Sequence, residues 1–367
     1  MPNSKYRKIL ASVVVVSALF ISGCGLIGGE EKVSEIDPPQ EVTYTDQDME
    51  KIETTEENAK KEETEKQDTK QGEKEAVEET IKTELYLIDK NGYVVPQTLD
   101  LPKTTSIATL ALEYLVKDGP VTEILPNGFQ AVIPAETKVS VDVKDKVATV
   151  DFSREFKDYQ AEDEMKILQS ITWTLTQFDS IEKVKLQMNG HPLEEMPVNG
   201  TPISGELSRN DGINLDISDS GDITNTRPVT VYYIGGEKEQ YYYVPVTKRV
   251  SNNEQDNITA AVNKLIDGPN VSSKLLNEFR AEVKLLEDAQ VKDGLVTLDF
   301  NESIYNSFEE KRISEHVLNT LVLSLTEQPG IEGVAVTVNG KADLVDEEGK
   351  KLTEPVTRPE KVNTGSF

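Results

Sequence analysis

Leu115-Val116-Lys117-Asp118-Gly119-Pro120 is the stretch that decides the fold, because Lys264-Leu265-Ile266-Asp267-Gly268-Pro269 repeats it later in the chain. Three further pairs of short motifs follow in the same order: Val150-Asp151-Phe152 and Leu298-Asp299-Phe300, Leu175-Thr176 and Leu325-Thr326, Met188-Asn189-Gly190 and Val338-Asn339-Gly340. Corresponding positions lie 148 to 150 residues apart. So constant an offset indicates two copies of one domain, and a function has to be explained by a duplicated unit.

The repeated Asp-Gly-Pro predicts the end of a helix rather than a binding loop. An apolar stripe at helical spacing precedes it in each copy: Ile107, Leu110, Ala111, Tyr114 and Leu115 in the first, Ile258, Ala261, Val262, Leu265 and Ile266 in the second. Glycine suits the left-handed position after a helix, and proline cannot continue one. We therefore predict helices that stop at Gly119 and at Gly268.

Length and charge limit the classes of function. A chain of 367 residues can form two or three domains, each with its own core. The formal net charge is −27, and removal of residues 1–23, which carry three basic residues and no acid, would make it −30. A field of this sign repels nucleic acid and anionic lipid headgroups. The sequence therefore argues against direct binding of nucleic acid.

The N-terminus is typical of a bacterial lipoprotein. Basic residues at positions 5, 7 and 8 precede a short apolar run, residues 9–21, and a membrane-spanning helix would need about 20 apolar residues. Ile21-Ser22-Gly23-Cys24 then matches a lipoprotein cleavage box. We predict that residues 1–23 are a signal peptide and that Cys24, the only cysteine, is the lipidation site. The alternative is an ordinary secretory signal followed by an incidental cysteine.

Composition divides the rest of the chain. Residues 24–81 are predicted to be the lipidated N-terminus and a disordered acidic tether, because the segment has almost no apolar residues to bury. The two copies are assigned to residues 82–202 and 228–352. Residues 203–227 are rich in Gly, Ser, Asn and Asp and are predicted to be a linker, and residues 353–367 a C-terminal tail.

Each copy is predicted to be an α+β domain in the split order β-(β)-α-β-β-α-β, with a mixed sheet that carries two helices on one face. Residues 139–143 alternate valine with polar residues, which predicts a half-buried strand. The matching strand of the second copy is predicted at residues 283–286. Asn189-Gly190 and Asn339-Gly340 predict tight turns.

Candidate catalytic residues are few. His191 and His316, the only two histidines, are not at equivalent positions and are predicted to be solvated side chains. The chain has a single cysteine and no histidine pair, so it lacks the residues that a cysteine protease or a zinc peptidase needs. Asp151 and Asp299 are repeated acids at matching strand ends. They are predicted to accept backbone N–H bonds in a turn, and a glycosidase pair is the alternative.

Aromatic residues make up only 6% of the chain, which argues against an aromatic-lined sugar groove. Trp173, the single tryptophan, is predicted to pack in the core or in an interface. Tyr232-Tyr233 and Tyr241-Tyr242-Tyr243 have two interpretations, an exposed protein-binding surface or strands that favour tyrosine. The sequence contains no GxGxxG, P-loop or GxSxG motif, so nucleotide binding and serine hydrolysis lack support.

The cleavage box at Cys24, the segment Ile36-Asp37-Pro38-Pro39-Gln40, the acidic tether and the two copies with their Asp-Gly-Pro, Val-Asp-Phe and Asn-Gly landmarks resemble the GerMN-domain family of sporulation and germination lipoproteins. The resemblance covers essentially the whole chain. It implies two tandem GerMN domains similar to ring-building-motif domains. It also implies that there are no catalytic residues, no cofactor and no metal site.

For function, the resemblance implies a non-enzymatic protein anchored by acylated Cys24 at the outer face of the cell membrane. In sporangia this is the outer forespore membrane, facing the intermembrane space. The implied partners are membrane lipid and other proteins of the channel complex between mother cell and forespore, which the protein would assemble or stabilise. Two alternatives stay open, a cell-wall glycan-binding module and a peptidoglycan-remodelling enzyme. The sequence does not fix the oligomeric state.

Overall fold

Each copy of the duplicated sequence folds into strands and helices, here called the first and second repeats. The computed structural model describes residues 79–217, 224–237, 240–253 and 256–364. The first repeat consists of β1 (Thr80–Asp89), β2 (Val94–Pro102), α1 (Ile107–Glu113), β3 (Phe129–Gln130), β4 (Val139–Lys144), β5 (Val147–Phe152), α2 (Glu164–Leu175), β6 (Lys183–Met188) and β7 (His191–Pro192). Cys24, the predicted signal peptide and the predicted tether up to residue 78 lie outside the described residues.

The second repeat has the same order of main elements. It consists of β8 (Thr226–Glu237), β9 (Gln240–Ser251), α3 (Asn257–Asp267), β10 (Gln290–Lys292), β11 (Leu295–Phe300), α4 (Glu315–Thr326), β12 (Gly333–Val338) and β13 (Val356–Thr357). The predicted α+β class and its split order are confirmed. In the described part of the chain, no helix is long and apolar enough to cross a membrane.

The strands of each repeat form two sheets. The mixed sheets have the orders β4-β5-β6-β7 and β10-β11-β12-β13, and in each one a helix crosses over between two parallel strands. The opening hairpins form separate sheets, β2-β1-β3 and β8-β9, and do not join the mixed sheets. In this detail the structure differs from the single sheet that the sequence predicts.

A helix side chain bonds to the edge of each opening hairpin at a position where no strand pairs. The backbone N–H of Tyr86, on the inner edge of β1, donates to the hydroxyl of Thr174 on α2 at 3.0 Å. In the second repeat, the N–H of Tyr232 on β8 donates to Ser324 on α4 at 2.8 Å. Because helix side chains satisfy backbone groups along this edge, a further strand is not needed there.

The predicted helix stop is confirmed in the second repeat. Helix α3 ends at Asp267, and Gly268 follows in the left-handed region with a φ of 84°. The N–H of Gly268 donates to the carbonyl of Lys264 at 3.1 Å, which completes the last turn.

The same prediction is wrong in the first repeat, where α1 already ends at Glu113. Lys117 instead pairs with a distant segment, because its N–H donates to the carbonyl of Ile133 at 2.8 Å. The residue with the left-handed conformation is Asp118, with a φ of 59°, while Gly119 has a φ of −89°. Pairing with a distant segment therefore ends this helix before the Asp-Gly-Pro motif.

The prediction of a strand at residues 283–286 is also wrong. Only Leu285 forms a bridge there, to Phe300, and regular pairing resumes at Gln290 opposite Thr297. Leu285 and Gln290 are five positions apart, while their partners on β11, Phe300 and Thr297, are three positions apart. The two extra residues form a bulge that interrupts the ladder, whereas β4 of the first repeat is continuous.

The hydrophobic core continues through both repeats. Buried apolar residues of the two repeats belong to one cluster, and all described residues belong to one compact unit. The ring of Phe129 in the first repeat meets the ring of Tyr242 in the second with centroids 5.1 Å apart. The two copies are therefore packed against each other.

Candidate functional site at the junction of the repeats

The repeated aspartates hold the Asn-Gly turns. The carboxylate of Asp151, on β5, accepts the N–H of Gly190 at 2.9 Å, and that of Asp299, on β11, accepts the N–H of Gly340 at 2.8 Å. Each turn follows the neighbouring parallel strand of the same repeat. The prediction that these acids accept backbone bonds is confirmed, and the Val-Asp-Phe and Asn-Gly landmarks form one structural unit.

We expect Asp151→Asn and Asp299→Asn each to lower the free energy of unfolding by about 1 kcal/mol, because a neutral amide replaces a charged acceptor of a backbone N–H. Denaturant unfolding followed by circular dichroism measures this loss. Asp142→Asn, an exposed carboxylate on β4, is the control and should change stability by less than about 0.5 kcal/mol. Stability unchanged in both variants would contradict the structural role. Loss of a peptidoglycan-cleaving activity would support the glycosidase alternative.

The two histidines do not form a site. His191 is exposed on β7, as predicted. His316, on α4, is half-buried between two tyrosines, since its ring centroid lies 5.4 Å from that of Tyr241 and its Nδ1 lies 3.0 Å from the hydroxyl of Tyr243. The prediction that His316 is a solvated side chain is therefore wrong. Among the described residues, no group of three His, Cys, Asp or Glu side chains could hold a metal ion.

Most of the tyrosines in the tyrosine-rich strands are buried. Tyr232, Tyr233 and Tyr242 are at most 6% exposed, and only Tyr241 is largely exposed, at 40%. The hydroxyl of Tyr242 donates to the carboxylate of Asp89 in the first repeat at 2.6 Å. The interpretation as strands that favour tyrosine therefore fits better than an exposed tyrosine surface.

Sequence reasoning missed a repeated segment at the junction. Residues 207–214, within the predicted linker, read Leu-Ser-Arg-Asn-Asp-Gly-Ile-Asn, and residues 356–363, within the predicted tail, read Val-Thr-Arg-Pro-Glu-Lys-Val-Asn. We call them the closing segments. Their arginines and asparagines lie 149 residues apart, the offset already seen for the rest of the repeat. That offset was the signal that could have identified them.

The first closing segment joins the outer edges of both hairpins. The side chain of Asn214 accepts the N–H of Val94 at 2.9 Å and donates to the carbonyls of Val94 and of Pro245, at 2.7 and 2.8 Å. Next to it, Ile213 exchanges two bonds with Thr247, whose hydroxyl accepts the N–H of Ile213 at 2.9 Å and whose N–H donates to its carbonyl at 2.8 Å. This segment thus connects β2 of the first repeat to β9 of the second.

The second closing segment repeats these contacts in the opposite direction. The side chain of Asn363 accepts the N–H of Tyr243 at 2.7 Å and donates to the carbonyls of Tyr243 and of Pro96, both at 2.8 Å. Val362 exchanges two bonds with Thr98, whose hydroxyl accepts the N–H of Val362 at 2.8 Å and whose N–H donates to its carbonyl at 3.0 Å.

The residue types of the junction follow from backbone chemistry. Pro96 and Pro245 have no N–H, so each offers the neighbouring hairpin only a carbonyl acceptor. An asparagine amide is suited to this edge because it both donates and accepts. Asn214 and Asn363 also have left-handed φ angles of 46° and 55°, which asparagine tolerates better than most residues.

A charged cluster lies beside these contacts and includes side chains of both repeats. Glu327, immediately after α4, is paired with Arg209 of the first closing segment and lies 3.6 Å from Arg358 of the second. The hydroxyl of Tyr232 donates to the same carboxylate at 3.0 Å. Arg358 also pairs with Glu84 of the first repeat at 3.3 Å. We call these five residues the junction cluster.

Burial and charge act in opposite directions on the junction cluster. Burial alone would raise the pKa of Glu327, but the charges of Arg209 and Arg358 hold it below its ordinary value. Burial raises the pKa of Tyr232, so its hydroxyl stays protonated and remains a donor. Glu327 is therefore a buried carboxylate kept ionised by two guanidinium groups.

Trp173 lies under this cluster, where the sequence predicts core or interface packing. It is 1% exposed and packs in a small cluster with Tyr86, Val94 and Ile213. The guanidinium of Arg209 lies 4.4 Å from the centre of its ring. The prediction for Trp173 is confirmed.

A cavity of about 650 Å³ opens above the junction cluster, between the repeats. Its rim includes Lys82 of the first repeat and Glu360 of the second closing segment, which form an ion pair. Deeper in the cavity, Arg209 and Arg358 are paired with Glu327. Because these charged groups pair with one another, we interpret the cavity as part of the contact between the repeats rather than as a catalytic site.

Comparison with known proteins gives consistent matches. A family model described as Germane, sporulation and spore germination, matches residues 84–194 and 230–343. The chain is 57% identical to the spore germination protein GerM of Bacillus subtilis strain 168 over 362 residues, 98% of each chain. A solved structure of the tandem GerMN domains of the Bacillus subtilis sporulation protein GerM is 61% identical and matches with a TM-score of 0.74, covering 78% of this chain and all of that one.

Proposed function

Because the chain belongs to the Germane family of sporulation and spore germination proteins, we propose that it is a non-enzymatic, membrane-anchored lipoprotein. In this proposal it helps to assemble or stabilise the channel complex that joins mother cell and forespore. Its anchor is acylated Cys24, and its two repeats face the intermembrane space from the outer forespore membrane.

One observation carries the proposal: the repeated polar residues of the described chain support the fold and the junction. Asp151 and Asp299 hold turns, and the paired arginines and asparagines of the closing segments join the repeats. In an enzyme built by duplication, we would expect at least one repeated acid or nucleophile to face a substrate cleft. A duplicated unit whose repeated residues serve packing fits a scaffold that presents its outer surface to other proteins.

We expect Cys24→Ser to release the protein from membranes without unfolding the repeats. The described repeats make all the contacts discussed above without Cys24, whereas acyl chains supply membrane affinity in proportion to their buried methylenes. Fractionation of sporulating cells should move the protein from the membrane to the soluble fraction. Circular dichroism of the purified variant should match that of the unmodified sequence. A variant that stays in the membrane fraction would contradict lipid anchoring at this residue.

Site-specific cross-linking in sporulating cells tests the channel role. Photo-reactive residues at exposed positions of the mixed sheets, such as Lys185 and Thr297, should capture proteins of the channel complex. The Cys24→Ser variant is the matched control, because the same repeats would no longer be held at the membrane. Capture of no channel protein, together with saturable binding of the purified protein to peptidoglycan, would overturn the scaffold proposal in favour of a glycan-binding module.

A further inference from the structure

The contacts at the junction are reciprocal. Asn214 of the first closing segment donates to Pro245 of the second repeat, and Asn363 of the second closing segment donates to Pro96 of the first. Asn363 lies 149 positions after Asn214, and Pro245 lies 149 positions after Pro96. The two bonds are therefore one contact made twice, once in each direction.

The neighbouring backbone bonds have the same property. Ile213 exchanges its two bonds with Thr247, and Val362 exchanges its two with Thr98. These four positions are again related by the offset of 149. Reciprocity of this kind is the signature of a two-fold interface, in which one surface binds a second copy of itself.

We propose that this junction also forms between chains, so that the first repeat of one molecule pairs with the second repeat of another. The protein would then assemble by exchange of repeats. The occupant of the surface is a second copy of this chain, and the contacts are those already seen at the junction. The proposal concerns the purified chain and does not depend on the channel role.

The connection between the repeats is longer than the closed form requires. Asp216 pairs with Lys248, and Thr226 pairs with Ser251, so both ends of the connection lie along β9. Three strand positions span about 10 Å along β9, and the two ends lie on opposite edges of β9, about two strand spacings, or a further 10 Å, apart. The nine residues 217–225 can reach about 30 Å when extended. This excess length lets the second repeat leave its own first repeat and pair with that of a neighbour.

The balance between closed and exchanged forms depends on protein concentration. Both forms contain the same junction, so their contact energies are nearly equal. A connection of nine residues gives the closed form an effective concentration on the order of millimolar. Dilute protein therefore stays closed, and crowded protein exchanges. Two chains that exchange reciprocally close a dimer, whereas a chain that exchanges only one repeat leaves a free surface for further growth.

Single-cysteine chains test this proposal directly. Lys90 and Glu237 form an exposed ion pair of 2.9 Å across the junction. Full chains that carry Cys24→Ser and either Lys90→Cys or Glu237→Cys are mixed, unfolded, refolded together over a range of concentrations, and treated with a short bis-maleimide. A mixture of Lys144→Cys and Glu237→Cys chains measures random collision, since Lys144 is an exposed residue of the first mixed sheet.

We expect the Lys90→Cys and Glu237→Cys mixture to give a cross-linked dimer in at least fivefold excess over the Lys144→Cys control. The yield should rise with protein concentration at refolding. A chain with both Lys90→Cys and Glu237→Cys should cross-link within itself when dilute. Dimer yields equal to the control at every concentration would overturn exchange. Failure of the double variant to cross-link within one chain would overturn the junction on which exchange depends.

Discussion

Glu327→Ala is expected to lower the free energy of unfolding by about 3 to 5 kcal/mol, because it removes the carboxylate from a buried charged cluster. The side chain of Glu327 is only 5% exposed and lies between Arg209 and Arg358. Without it, both guanidinium groups would have to stay partly buried without their shared counter-ion, or the closing segments would have to move. Either result weakens the junction for both repeats.

Two controls separate charge from shape. Glu327→Gln keeps the size of the side chain and introduces the residue type that the first repeat has at the matching position, Gln177. We expect it to cost less than Glu327→Ala and more than Glu309→Ala, which removes an exposed carboxylate elsewhere in the second repeat. The exposed control should stay within about 0.5 kcal/mol of the unmodified sequence.

The contribution of Glu327 should also depend on pH. Its pKa in the folded protein lies below its ordinary value, because the two arginines outweigh the effect of burial. The stabilisation is therefore complete above the pKa of an unfolded glutamate, about 4.3, and is lost as the pH falls through the lower folded-state pKa. The difference in stability between the unmodified sequence and Glu327→Gln should shrink as the pH is lowered below about 4.

Unfolding should occur in a single transition, because the junction cluster joins both repeats. Fluorescence of Trp173 reports on the first repeat and its closing segment, and circular dichroism reports on the whole chain. Denaturant curves from the two probes should coincide and should shift together in Glu327→Ala. Two separate transitions, with only the second repeat affected, would contradict a shared cluster.

Much of the fold could be predicted from the sequence, because local chemistry and hydrophobic period agree within each repeat. Asn189-Gly190 and Asn339-Gly340 form the predicted turns, with positive φ at all four residues. The valines at residues 139–143 form the predicted strand. The acids Asp151 and Asp299 accept the backbone bonds that were predicted for them.

The errors arose where contacts between distant residues override local preference. Helix α1 ends early because residues near Lys117 pair with Ile133. The strand predicted at residues 283–286 is interrupted by two extra residues, which a period of two along the sequence does not reveal. Neither the distant partner nor the bulge has a signature in a short window of sequence.

The junction was missed for a different reason. The polar composition of residues 203–227 predicts a linker, and residues 353–367 are predicted to be a tail. One closing segment lies in the predicted linker and the other in the predicted tail, so composition does not reveal that they are copies of one motif. Within them, Arg209 and Arg358 have the same role on opposite sides of Glu327. Gly, Ser, Asn and Asp are common in linkers, but they also suit left-handed positions and backbone contacts, as Asn214 shows.

The second large effect is expected for Trp173→Ala, which should lower the free energy of unfolding by about 3 to 5 kcal/mol. Trp173 is 1% exposed and contacts Tyr86, with ring centroids 5.6 Å apart. Its indole N–H donates to the carbonyl of Gly212 at 3.3 Å, and its ring lies under Arg209. Alanine would therefore remove the surface on which the first closing segment packs.

Trp173→Leu is the matched control, because the second repeat has Leu323, buried at 1% exposure, 150 positions later. Leucine fills part of the space but has neither the N–H for Gly212 nor a ring for Arg209. We expect a smaller loss of stability than for alanine and, in both variants, faster cleavage by trypsin after Arg209. Circular dichroism in denaturant and timed proteolysis measure the two effects. Trypsin resistance unchanged in Trp173→Ala would show that the first closing segment is held in place without this side chain.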